Sequence, residues 1–342
     1  MRTVHSRYYH HHDPAFEFHA GELVPPFENP RRAEIILESL QARRLGDIIE
    51  PRDFGRAPLE AIHKISYLQF LQDAYTDWRQ AGYSGDAIPW FWPNRVVERT
   101  PRSIAAKLGS YARAGDTPIT ESSWLAAYWS AQVAVEGAQQ IIDGQRAAFA
   151  LCRPPGHHAS RAAYGGYCFL NNAAIAAAHL RSRFGKVGII DIDFHHGDGT
   201  QEIFYERDDI FVGSIHGEPE RSFPSFSGYA DECGAGDGQG ANLNIPLPEN
   251  TGYRDWIQAL QRILQTAKDH GIDVLVVSLG VDTFENDPIS FFRLTTKDFG
   301  NIGHTLSTLN KPSLFVLEGG YAMKDLGENV VNVLDGFEAI PV

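Results

Sequence analysis

The chain has 342 residues, 43% hydrophobic and 21% charged, with a formal net charge of −13; that is enough apolar material for one sizeable core. No run of 18 apolar residues is present to span a membrane, and Arg2, His5, Arg7 and His10–Asp13 interrupt any leader-like stretch at the start. The acidic balance argues against a broad nucleic-acid-binding face and suits a small cationic ligand, while three cysteines, Cys152, Cys168 and Cys233, fit a reducing, cytoplasmic compartment.

In chain order, residues 1–342 read as one domain with an excursion. Gly82–Ser122 carries Trp90, Trp92 and several prolines. It reads either as a cap that contacts another subunit or as a surface loop with its own aromatic cluster. Trp124–Ile142 is a helical segment. The apolar run Ala147–Cys152 reads as a buried strand followed by Arg-Pro-Pro-Gly-His157-His158, and Asn172–Arg183 as a helix. The strand Val187–Ile192 leads into Asp193-Phe-His195, and Ile210–Ile215 is a further strand. Tyr253–His270 is helical, Val274–Leu279 is a strand that leads to Asp282, Thr296–Leu309 is helical, and the strand Leu314–Leu317 leads to Glu-Gly-Gly-Tyr321. Such alternation predicts an α/β fold with a mostly parallel sheet flanked by helices. The chemically loaded residues all follow C-terminal strand ends, where open α/β sheets bind ligands.

The densest constellation is Asp191-Ile-Asp193-Phe-His195-His196-Gly-Asp198. Period-two alternation through a strand places Asp191, Asp193 and His195 on one side. Asp193 and His195, completed by Asp282, make a carboxylate–imidazole set suited to zinc, or to ferrous iron, with room for water and a carbonyl. A binuclear site would want further carboxylates where Gly197 and Phe284 stand, so one ion is favoured. His157 and His158 supply proton transfer, with Asp191 and Asp198 as their orienting partners. Tyr321 is placed to donate to a developing oxyanion, and Tyr167 and Phe223 are candidate channel walls.

RPPGHHA, GGYCFLNNAAIAA, IIDIDFHHGDGTQEIFY, VVSLGVDTFENDPISFFRLT and EGGY together resemble the histone deacetylase superfamily, and more closely its bacterial acetylpolyamine amidohydrolases. GELVPPFENPRRAE near the start is similar to that branch, so the resemblance covers nearly the whole chain. It implies the arginase/deacetylase fold, with Zn2+ on Asp193, His195 and Asp282. It further implies a His157–Asp191 pair, His158–Asp198 as general base and then acid, and Tyr321 polarising the amide carbonyl. It also implies a structural K+ held by oxygens of Asp191, Asp193, His195, Ser214 and the Ile215 carbonyl. Tyr167 and Phe223 match channel residues, Glu17 the acidic residue near the distal amine, and Gly82–Ser122 a loop that builds a homodimer and narrows the entrance. Lys107 stands where a carboxylate would serve a long polycation, so short substrates such as N-acetylputrescine or N-acetylcadaverine are the expectation. The competing expectations are a broader protein-lysine deacetylase and a non-catalytic small-molecule-binding module.

Overall fold

The computed structural model describes residues 1–93 and 101–339. The strands are β1 (Arg2–Val4), β2 (Glu17–His19), β3 (Glu22–Val24), β4 (Ile48–Ile49), β5 (Ala147–Ala150), β6 (Val187–Asp191), β7 (Ile210–Gly217), β8 (Asn242–Leu247), β9 (Val274–Leu279) and β10 (Ser313–Leu317). Eight of them form one sheet in the order β4-β1-β5-β10-β9-β6-β7-β8, parallel at every pairing. Strands β2 and β3 form a separate antiparallel hairpin.

The central strands are apolar on both faces because helices cover both. Along β10, Leu314 and Val316 pack into one core and Phe315 and Leu317 into the other; Val276 and Val277 of β9 divide the same way. Helices Ile65–Gln80, Ser123–Ile142 and Asn172–Leu180 close the first core, and Arg31–Arg43, Tyr253–His270, Thr296–Ser307 and Leu326–Glu338 the second. Helix Tyr253–His270 shows why its sequence is helical. Trp256, Leu260, Ile263, Leu264 and Ala267 recur on one buried stripe, and Gly271 at φ +81° ends it in a left-handed cap. Truncating a fully buried ring such as Phe315 to alanine would cost about 3–5 kcal/mol.

The expected strands and helices are all present, with ends shifted by a few residues. The sequence reading passed over the β2–β3 hairpin and helices Arg31–Arg43, Ile65–Gln80 and Leu326–Glu338 and, in the main sheet, β1, β4 and β8. Strands β1 and β4 are short, and β8, an edge strand with Pro246 and alternating asparagines, has the composition of a loop. Strand β6 ends at Asp191, before the expected Ile192. The Asp191–His195 geometry therefore arises from turns rather than strand alternation: Asp193 N–H donates to Asp191 Oδ1 (3.1 Å) and His195 N–H to Asp193 Oδ1 (2.9 Å). Gly82–Ser122 contains a helix, Ile104–Tyr111, and a bridge between Ala87 and Ile119; its residues 94–100 lie outside the described part.

Candidate active site

Four strand ends converge as expected. In register, Asp191 at the end of β6 lies between Ser214 of β7 and Ser278 of β9. Asp193, His195 and Asp282 each bring a ligand atom within 4.8 Å of the others, all buried. His195 Nδ1 is 3.3 Å from Asp193 Oδ1 and 3.1 Å from Asp282 Oδ2. Burial and the charge of Asp193 push Asp282 up to about 8. Hydrogen bonds and charge from both carboxylates, against an opposing burial cost, lift His195 to about 10. The two carboxylates and the imidazole present ligand atoms to one point, and a divalent cation there would satisfy both carboxylates while leaving the imidazole neutral. The residues fit such an ion. Gly319 is obligatory beside them: its N–H donates to Asp193 Oδ2 (2.8 Å), and a Cβ there would lie 2.5 Å from Asp282 Oδ2.

His157 and His158 follow β5 on a buried turn. Glu318, at the end of β10, accepts the backbone N–H groups of Gly156 (2.6 Å) and His157 (3.1 Å). His157 Nδ1 meets Asp191 Oδ2 at 2.9 Å and His158 Nδ1 meets Asp198 Oδ1 at 2.8 Å. The two rings differ in proton affinity. Burial opposes protonation of both, but the charges of Asp191 and Asp193 hold His157 well above the ordinary imidazole range. Burial, and then the charge of His157, depress His158 to about 4. Asp198 is held down at about 2: the His158 hydrogen bond and the charges of His158 and Arg113 outweigh its burial.

His158, His195, Tyr321, Tyr167 and Phe223 share one cavity of about 360 Å³ with Asp116 and Ile289. The Tyr321 phenol is held well above its ordinary pKa by burial, so it remains a donor. Its backbone N–H donates to Asp287 (2.7 Å), and its ring lies under the Arg32 guanidinium (4.8 Å). Arg32 also donates to the carbonyls of Glu318 (2.6 Å) and Gly320 (2.8 Å), which fixes the turn before the tyrosine. Tyr167 sits at φ +67°, in the left-handed region that non-glycine residues rarely adopt. Its N–H donates to Thr117 Oγ1 (2.8 Å), and that of Gly166 to Asp116 Oδ1 (3.1 Å).

Glu17 does not line the cavity; it is buried behind Tyr167, accepting the phenol at 2.8 Å and the Phe27 N–H at 3.0 Å. The carboxylate in the cavity wall is Asp116, which the sequence reading missed. Lys107 faces Asp77 (3.3 Å), not the cavity. Arg32, Asp287 and Glu318 were given no role, although Arg32 lies in GELVPPFENPRRAE, Asp287 five residues beyond Asp282, and Glu318 opens EGGY.

A parallel sheet that gathers a carboxylate–imidazole trio and a carboxylate-backed histidine pair at one edge defines an amidohydrolase of the deacetylase class. A histone deacetylase domain model matches residues 26–337. The chain is 46% identical over 342 residues to acetylpolyamine amidohydrolase 2 of Pseudomonas aeruginosa, covering 99% of each. It is also 46% identical over 338 residues to the acetylpolyamine amidohydrolase of Mycoplana ramosa, covering 98% of this chain and 99% of that one. Among solved structures it superposes on the acetylpolyamine aminohydrolase of Burkholderia pseudomallei with a TM-score of 0.96 at 39% identity, covering 99% of both chains. On the HDA15 HD domain the TM-score is 0.82 at 27% identity, covering 99% of this chain and 91% of that one. The chain belongs to the histone deacetylase family, in its acetylpolyamine amidohydrolase branch.

Proposed function

We propose that this chain is a zinc-dependent deacetylase of small N-acetylated diamines or polyamines, releasing acetate and the free amine. The observation that carries this reading is a cavity of about 360 Å³ whose lining brings His158, His195 and Tyr321 together with Asp116. The relatives' names agree with it.

Asp193, His195 and Asp282 would hold the zinc ion, with ferrous iron as the alternative; when bound, it supplies Lewis acidity to the acetamide carbonyl and acidifies water. His158, neutral and with Nδ1–H committed to Asp198, has Nε2 free to take the proton of the attacking water. Asp198 stabilises the imidazolium that results, and His158 then returns the proton to the leaving amine. His157, whose proton affinity Asp191 raises through its contact with Nδ1, would stabilise negative charge beside the reacting carbon. The Tyr321 phenol donates to the oxyanion. Tyr167 and Phe223 flank the methylene chain, and Asp116 faces the distal ammonium.

Oxygens of Asp191, Asp193, His195, Ser214 and Ile215 would make up the hard donor set for K+; of these, Asp191 and Ser214 are register partners on β6 and β7. Trp90, Phe91 and Trp92 are 55%, 44% and 44% exposed, and an apolar patch of this kind supports a homodimer in which Gly82–Ser122 narrows the entrance. No described helix is long and apolar enough to cross a membrane.

The test is steady-state deacetylation by the zinc-loaded protein of N-acetylputrescine, N-acetylcadaverine, N8-acetylspermidine and an acetyl-lysine peptide. Efficient turnover of the small amines with a weak peptide signal is expected. A dominant peptide signal would move the function to protein-lysine deacetylation, and silence on all four would leave a binding module.

A further inference from the structure

Arg113 belongs to none of the motifs around the strand ends. It lies two residues beyond helix Ile104–Tyr111, inside the Gly82–Ser122 segment. The backbone there is fastened to the active-site turn: Arg113 N–H donates to the Tyr164 carbonyl and Tyr164 N–H to the Tyr111 carbonyl, each at 2.8 Å. From this anchor the side chain, 31% exposed, reaches inward. One guanidinium nitrogen donates to Asp198 Oδ2 at 2.5 Å and another to Glu202.

Asp198 and Glu202 sit one turn apart on helix Asp198–Phe204, so their carboxylates face the same way and repel. A planar guanidinium spans both, which an ammonium on a flexible stem does not do equally well. It also divides the work of Asp198 cleanly: Oδ2 is taken by Arg113 and Oδ1 is left for His158 Nδ1. On its outer side the pair borders a groove of about 1320 Å³, also lined by Arg161, Tyr205 and Phe226. Without Arg113, water from that groove and the charge of Glu202 would be free to turn the Asp198 carboxylate.

We infer that Arg113 is a positioning residue for the general base: it fixes the Asp198 carboxylate in the rotamer that presents Oδ1 to His158. The entrance segment thereby sets the geometry of proton transfer. The inference rests on the reading of His158 as the base in amide hydrolysis.

The experiment uses zinc-loaded wild type, Arg113→Lys, Arg113→Met and Arg113→Ala, with N-acetylputrescine as substrate. It reads kcat and KM, zinc content, the downfield proton NMR signal of His158 Nδ1–H, and recovery of Arg113→Ala by added guanidinium. Arg113→Met is expected to lower kcat about tenfold to a hundredfold with zinc retained and KM changed little. The Nδ1 proton signal should shift or broaden, Arg113→Lys should recover part of the rate, and guanidinium should restore part of it to Arg113→Ala. A wild-type rate with an unchanged proton signal in Arg113→Met would overturn the inference. So would a rate loss that follows zinc loss or unfolding and that guanidinium does not repair. If the wild type turns over no acetylated amine, the deacetylase reading fails, and the proton signal still decides whether Arg113 orients the pair.

Discussion

His157 and His158 stand side by side with ring centroids 4.0 Å apart, yet each directs Nδ1 to a different carboxylate, Asp191 and Asp198. The charges of Asp191 and Asp193 raise the proton affinity of the first ring, whereas burial lowers that of the second, so His158 is the ring suited to accept a proton. His158→Ala should lower kcat by about 10²–10⁴ while the protein retains one equivalent of zinc by elemental analysis. Full activity, or zinc loss in that variant, would remove His158 from the role of base.

Asp282 is different in kind, because it belongs to the cluster that calls for positive charge. Asp282→Ala removes one of two carboxylates from the trio and leaves His195 Nδ1 with only Asp193 as an anionic neighbour. The variant should lose zinc on dialysis, and activity with it. Stoichiometric zinc after dialysis would place Asp282 outside the ligand set.

Asp116 predicts selectivity rather than rate. A carboxylate in the cavity wall stabilises an ammonium by a charge-assisted bond of about 1.5–3 kcal/mol. Asp116→Asn should therefore raise KM for N-acetylputrescine about tenfold or more. KM for N-pentylacetamide, which carries a methyl group in place of the ammonium, should hardly move. An equal change on both substrates would make Asp116 a support for the Tyr167 turn alone.

The strand ends were legible because each chemical residue lies within a few positions of a long apolar run, as His157 does after Ala150, Asp193 after Ile190 and Tyr321 after Leu317. Local spacing carries that information. Asp116 was not legible in the same way. It reaches the cavity through its bond to Gly166, 50 residues further on, and nothing local distinguishes it from other acidic loop residues. Glu17, expected near the distal amine from resemblance, is held by the Tyr167 phenol, 150 residues away, a pairing that local spacing does not announce. Lys107 was read as standing where a carboxylate would serve a long polycation; in the fold it faces Asp77.

Three histidines away from the metal trio link stability to pH. Burial depresses His5 to about 4, His12 to about 3 and His63 to about 4; the charge of Arg153 adds to the effect at His12. His12 Nδ1 bonds Ser123 Oγ (2.9 Å), and His63 bonds the Ser160 carbonyl (2.9 Å) and the Asn171 N–H (3.0 Å). Unfolded, each returns to about 6.5, so below that pH the unfolded chain binds protons that the folded chain refuses. The stability they permit is therefore complete above about pH 6.5 and is lost as pH falls toward the folded values, with a slope of about 1.4 kcal/mol per pH unit for each histidine. Urea unfolding of the zinc-loaded protein between pH 7.5 and 5 should show stability falling with acid. His12→Asn, which keeps a partner for Ser123, should reduce the slope by about one proton, with the metal site cancelling in the comparison. Equal slopes in the two proteins would mean that His12 is already protonated in the fold, and its buried bond to Ser123 would then need a different account.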